Sequence, residues 1–97
     1  MSQFVFTFFT IHDRAEYDRY VALATPIFMR EGVKVHANDE APIPMSADIK
    51  ADKAVLLEFR GGDHMKNFFA LPDYMAAAKH RDAGTKMSII RFKRFQP

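Results

Sequence analysis

Cysteine is missing from this chain of 97 residues. Its absence excludes a disulfide framework and a thiolate metal centre, and suits the cytoplasm. An excess of one charge is missing too. The 14 Lys and Arg against 12 Asp and Glu leave a formal net charge of +2, too small to carry a nucleic-acid surface. The one basic cluster, Lys86, Arg91, Lys93 and Arg94, suits the protection of an edge strand better. No apolar run approaches the roughly 20 residues of a membrane span. The apolar N-terminal segment lacks the preceding positive charges and the small-residue cleavage site of a signal peptide. There is no Gly-rich phosphate loop, nucleophile elbow or dinucleotide fingerprint. His12, His36, His64 and His80 follow no ligand spacing, so neither a metal nor another cofactor is expected.

What is there is apolar and rich in phenylalanine: 48% of residues are hydrophobic and ten are Phe. A chain of this composition and length makes one folded domain, residues 1–97, with a modest core. Residues 3–11 read as a strand with Phe4, Phe6 and Phe8 on one side and Val5, Thr7, Phe9 and Ile11 on the other. Both sides are apolar, whereas a strand with one wet face alternates. Asp13 and Glu16 then resemble a capping box. Tyr17, Tyr20, Val21, Ala24, Ile27 and Phe28 follow at helical spacing up to a stop at Gly32. Pro26 predicts a kink or early break over residues 22–26. A second strand is expected over 33–37, a long hairpin connection over 38–52, and a third strand over 53–60. Asp63 is expected to cap a helical stretch that Pro72 restarts and Gly84 ends. The last strand is expected over 87–95.

The order is β-α-β-β-α-β, which is α+β and ferredoxin-like: a four-stranded antiparallel sheet with both helices on one face. The other face, carrying Phe4, Phe6 and Phe8, would be left bare. A bare apolar face of that size marks an interaction site, and a twofold homodimer covers it most simply.

Several segments resemble the domain-of-unknown-function 1330 family, within the dimeric α/β-barrel superfamily. They are Asp13, Ala15-Glu16-Tyr17 with Tyr20, Gly32, Val55-Leu56-Leu57-Glu58-Phe59, Leu71-Pro72-Asp73-Tyr74 and Arg81. The resemblance implies a dimeric α/β barrel and no settled activity. Related superfamily members include cofactor-independent monooxygenases, haem-degrading enzymes and lactone isomerases, with pockets between helices and sheet. It therefore implies a small-molecule ligand in such a pocket, and oxygenase- or isomerase-like chemistry without a cofactor. A non-catalytic ligand-binding or stress-associated dimer module is the alternative.

The residues themselves suggest where chemistry would sit. Tyr74 and Arg81 share one face of the last helix, so Arg81 is either a carboxylate-paired packing residue or an anion anchor for a ligand. Tyr17 and Tyr20 lie on the buried stripe of the first helix and are candidate ligand contacts. Glu58 shares its strand face with Ala54 and Leu56. If unpaired, burial would raise its pKa toward that of a general base; otherwise it belongs to an ion pair. His12, at the junction of first strand and first helix, is the second candidate catalytic residue. His64 and His80 read as solvated.

Overall fold

The computed structural model describes residues 1–97. It contains β1 (Gln3–Ile11), α1 (Arg14–Arg30), β2 (Lys34–Asp39), β3 (Lys53–Phe59), α2 (Gly62–Phe69), α3 (Pro72–Gly84) and β4 (Thr85–Lys93). The four strands form an antiparallel sheet in the order β2-β3-β1-β4. The ferredoxin-like order is therefore present, with the second helical stretch divided in two at Ala70 and Leu71. β4, which carries Lys86, Arg91 and Lys93 of the basic cluster, is an edge strand, and Arg94 follows it.

β1 is central and follows a period of two. Val5, Thr7 and Phe9 are buried beneath the helices, while Phe4, Phe6 and Phe8 lie half-buried on the other face. Leu57 and Phe59 of β3 join the covered side, and α1 contributes Ala24 and Ile27. Met65 and Phe68 of α2 and Tyr74 and Ala77 of α3 close the core. Phe68 is its hub: its ring centroid lies 4.5 Å from Tyr74, 5.1 Å from Phe28 and 5.5 Å from Phe59.

The expected break in α1 does not occur, and the helix runs unbroken through Pro26. Proline at that position removes one backbone donor, and burial of Ile27 just beyond it holds the last turns against the core. Asp13 is the N-cap, its Oδ1 accepting the Glu16 backbone N–H at 3.3 Å. Only half of the expected capping box forms, because the Glu16 carboxylate turns instead to Arg19 and His80, each at 2.7 Å. Asp63 is not a cap. The cap lies two residues earlier, at Gly61, and makes no side-chain cap hydrogen bond.

Two glycines have defined tasks. Gly32 has φ +68°, in the left-handed region that favours glycine, and turns the chain from α1 into β2. Gly84, expected only to end a helix, is where α3 meets the start of α1. Its carbonyl accepts the His12 and Asp13 backbone N–H groups at 2.9 and 3.1 Å. A Cβ there would stand 2.7 Å from the Asp13 carbonyl oxygen. β2 runs two residues further than expected, with an irregular register between Val35 and Ala37. The connection from β2 to β3 is tied at its far end, where Asp52 Oδ2 accepts the Ile11 N–H at 2.8 Å.

Candidate functional site

Between the helices and the covered face of the sheet lies a cavity of about 320 Å³. That is within the range of small-molecule sites, roughly 300–1,000 Å³. Sixteen of its 21 lining residues are hydrophobic, and none is Asp, Glu or His. The apolar wall follows from the alternation of the strands: Val5, Thr7 and Phe9 of β1 and Val55 and Leu57 of β3 all present the same side. α1 supplies Tyr17, Tyr20, Val21, Ala24 and Phe28, which are the stripe read from its sequence without Ile27, together with Thr25 and Met29.

Four of the six sequence-selected residues come together here. Tyr17, Tyr20, Tyr74 and Arg81 all line the cavity. Tyr74 Oη is the centre of a short polar chain, 2.9 Å from Tyr20 Oη and accepting from Arg81 Nη1 at 3.0 Å. The Arg81 guanidinium also stands 5.6 Å from the Tyr20 ring centroid and donates through Nε to Asp82 at 3.1 Å. Burial raises the pKa of Tyr20, and the neighbouring Tyr74 adds to the effect. Burial likewise pushes the Tyr17 hydroxyl up to about 12. At neutral pH these hydroxyls stay protonated, and the chain presents donors rather than bases.

The other two selected residues lie elsewhere. His12 is exposed, engages α3 through its backbone and does not line the cavity. Glu58 is on the opposite face of the sheet, where it pairs in register with Phe4 of β1. His36 Nε2 stands 2.6 Å from its Oε1, and Arg94 Nη2 donates to its Oε2 at 2.6 Å. Hydrogen bonding from Ser2, then His36 and Arg94, lowers its pKa to about 2. Of the two readings open for Glu58, the ion pair is the one found. A carboxylate so held is a weak base at neutral pH.

Two histidines expected in solvent have partners. His64 Nδ1 accepts the Arg60 backbone N–H at 2.9 Å, so its Nε2 carries the proton and donates to Glu31 O at 2.6 Å. It thereby clips α2 to the end of α1. His80 Nδ1 lies 2.7 Å from Glu16 Oε2 and links α3 to α1. No group of three His, Asp or Glu side chains is arranged to hold a metal ion.

Sequence reasoning missed Lys53. It is buried at the start of β3, lines the cavity, and has its Nζ 4.9 Å from the Tyr17 ring centroid. Burial lowers its pKa. The signal was available: Lys53 is in step with Val55, Leu57 and Phe59, and so falls on the helix-facing side.

A family model described as "Domain of unknown function (DUF1330)" matches residues 2–94. Among solved structures, the RPA0582 protein of unknown function from Rhodopseudomonas palustris matches with a TM-score of 0.85 at 20% identity. That match covers 99% of this chain and 84% of the other. A dimeric protein of unknown function with a ferredoxin-like fold from Bacteroides fragilis gives 0.66 at 13%, covering 96% of each chain. SnoaB, a cofactor-independent oxygenase from Streptomyces nogalater, gives 0.64 at 18%, covering 99% of this chain and 94% of the other. A search of curated proteins finds no match. At these identities the structural likenesses establish the ferredoxin-like fold and nothing finer.

Proposed function

The chain belongs to the DUF1330 family, and from that premise we propose that it acts as a homodimer whose subunits each bind one small, mainly apolar molecule between helices and sheet. The observation that carries this reading is the cavity: apolar along most of its wall, with the Tyr20–Tyr74–Arg81 chain of donors at its edge. Donors placed beside an apolar space suit a ligand with a carbonyl or phenolic oxygen. The hydroxyl proton left over from the Tyr20–Tyr74 bond and the guanidinium can stabilise negative charge that develops on that oxygen. With a cofactor-independent oxygenase sharing the fold, the reaction we favour is oxygenation or isomerisation of an aromatic or enolisable substrate without a cofactor.

The dimer follows from the bare side of the sheet. Ile90 and Phe92 remain 57% and 44% exposed there, beside half-buried Phe4, Phe6 and Phe8. Pairing this face with its copy would shield it, and solved proteins of the same fold are dimeric.

One observation favours a second reading, a non-catalytic binding module: no carboxylate or imidazole reaches the cavity to serve as a base. A thermal-shift screen of aromatic and enolisable compounds, followed by oxygen-uptake and product assays on the hits, separates the two. Stabilisation with turnover that Tyr74→Phe or Arg81→Met lowers at least ten-fold supports an enzyme. Stabilisation without turnover supports the module. A wild-type chain whose melting temperature moves with none of the compounds rejects both.

A further inference from the structure

Two cationic side chains line the cavity, Lys53 and Arg81, and they differ in what already occupies them. Arg81 donates to the Tyr74 hydroxyl at 3.0 Å and to Asp82 at 3.1 Å. Lys53 has one ionic partner, Glu40, whose Oε1 stands 3.6 Å from Nζ. That separation is too long for a hydrogen bond. The same Glu40 oxygen accepts from Arg14 Nη2 at 3.0 Å. Lys53 is thus an ammonium with three donors, set against the ring face of Tyr17 and short of acceptors. In the folded chain this ammonium is balanced by the shared Glu40 charge at 3.6 Å, with no acceptor at hydrogen-bond distance. The cavity wall contributes no carboxylate to offset it.

Building on the reading of this cavity as a ligand site, we propose that Lys53 anchors the acidic group of the ligand, and that the ligand is a monocarboxylic acid with a compact apolar or aromatic body. The carboxylate accepts from Lys53 Nζ at the Phe9 end of the sheet. The body extends toward Val33, Leu57 and Phe69, at the end where β3 finishes. Ligand binding then supplies the acceptors that the folded chain withholds, and carboxylic acids are selected over neutral molecules of the same shape. The burial that pushes the Lys53 amine toward its neutral form is relieved in the complex.

Isothermal titration of 2-naphthoic acid and of neutral 2-naphthamide, at pH 7, tests this on the 97-residue chain. The wild type is expected to bind the acid about ten-fold or more tightly than the amide, as a charge-assisted hydrogen bond would give. Lys53→Met is expected to bring the two affinities within about two-fold, chiefly by weakening the acid. Arg81→Met is expected to weaken both probes and leave their ratio standing. Equal affinities in the wild type overturn the assignment while leaving the cavity as a ligand site. So does a preference that survives Lys53→Met, or one that disappears only in Arg81→Met. If the wild type binds neither probe, the assignment falls together with the reading it rests on. Carbon-13 labelling of lysine gives a readout that needs no folded variant. In the wild type, naphthoate must move the Lys53 Cε resonance and naphthamide must not; equal movement counts against the proposal.

Discussion

Lys53 and Glu58 belong to the same strand and are about equally hidden, at 4% and 6% exposed. Their ionisation is biased in opposite directions. Lys53, on the helix-covered face, is pushed toward its neutral form by burial. Glu58, on the bare face, is held as a carboxylate with its pKa lowered to about 2. Exposure alone therefore does not separate them: burial dominates at Lys53, and hydrogen bonds outweigh it at Glu58. Glu58 has two cationic or donor partners at 2.6 Å, one on each oxygen. Lys53 has a single shared carboxylate at 3.6 Å. A low-dielectric setting magnifies whatever partners are present and equally magnifies their absence. The bare face is electrostatically complete in the single chain, and what it lacks is apolar cover. The covered face has its apolar cover, and its lysine lacks an acceptor at hydrogen-bond distance.

The strongest way to break that comparison uses neighbouring residues of β1. Val5 faces the helices and Phe6 faces away. Val5→Asp puts an unpaired carboxylate into the core, at a cost of several kcal/mol, comparable with the whole stability of about 5–15 kcal/mol for a domain. Circular dichroism is expected to show a chain that is largely unfolded at 25 °C. Phe6→Asp is expected to keep the fold, because the new carboxylate meets water, and to abolish the dimer in sedimentation velocity. A dimer that survives Phe6→Asp, or a wild type that sediments as one subunit at high micromolar concentration, removes the role given to the bare face.

The same contrast marks what the sequence could and could not convey. Alternation along β1 separates its two faces by inspection, since a period of two is a local property. The stripe on α1 likewise put Tyr17 and Tyr20 under the helices, and the i, i+7 spacing put Arg81 in line with Tyr74. What lay beyond reach were partners distant along the chain. Arg94 meets Glu58 across 36 residues and His80 meets Glu16 across 64. No periodicity carries that information. The continuity of α1 through Pro26 is a case of packing overriding local preference, as residues beyond the proline are buried. The task of Gly84 was hidden for a related reason: its need for a small residue comes from the Asp13 backbone, which only the tertiary fold brings near.

Acid titration sharpens the electrostatic half of the comparison. The carboxyl group of Glu58 has a lower pKa in the folded chain than its ordinary value of 4.5. The folded state therefore binds its proton less readily than the unfolded state does. The stabilisation is present in full above about pH 4.5 and is lost as pH falls toward 2. Glu58→Gln removes it at neutral pH. Urea midpoints of wild type and variant are expected to differ clearly at pH 7 and to converge as the pH approaches 2. A gap of constant size across that range would mean that packing, rather than charge, sets the contribution of Glu58.

The smallest effects are expected in the cavity's own hydroxyl chain. Tyr74→Phe takes away the acceptor of Arg81 Nη1 and the partner of Tyr20 at once. Both groups are at least half-buried, so the loss is expected to be about 1–2 kcal/mol. Tyr20→Phe removes one of those contacts and leaves the Arg81–Tyr74 bond in place, so about 0.5–1 kcal/mol is expected. Because the two hydroxyls bond each other, the double variant should cost less than the sum of the two single variants. Thermal unfolding of the four chains completes the cycle. Strict additivity would show that the two tyrosines act independently, and the covered face would then have no connected donor chain to offer a ligand.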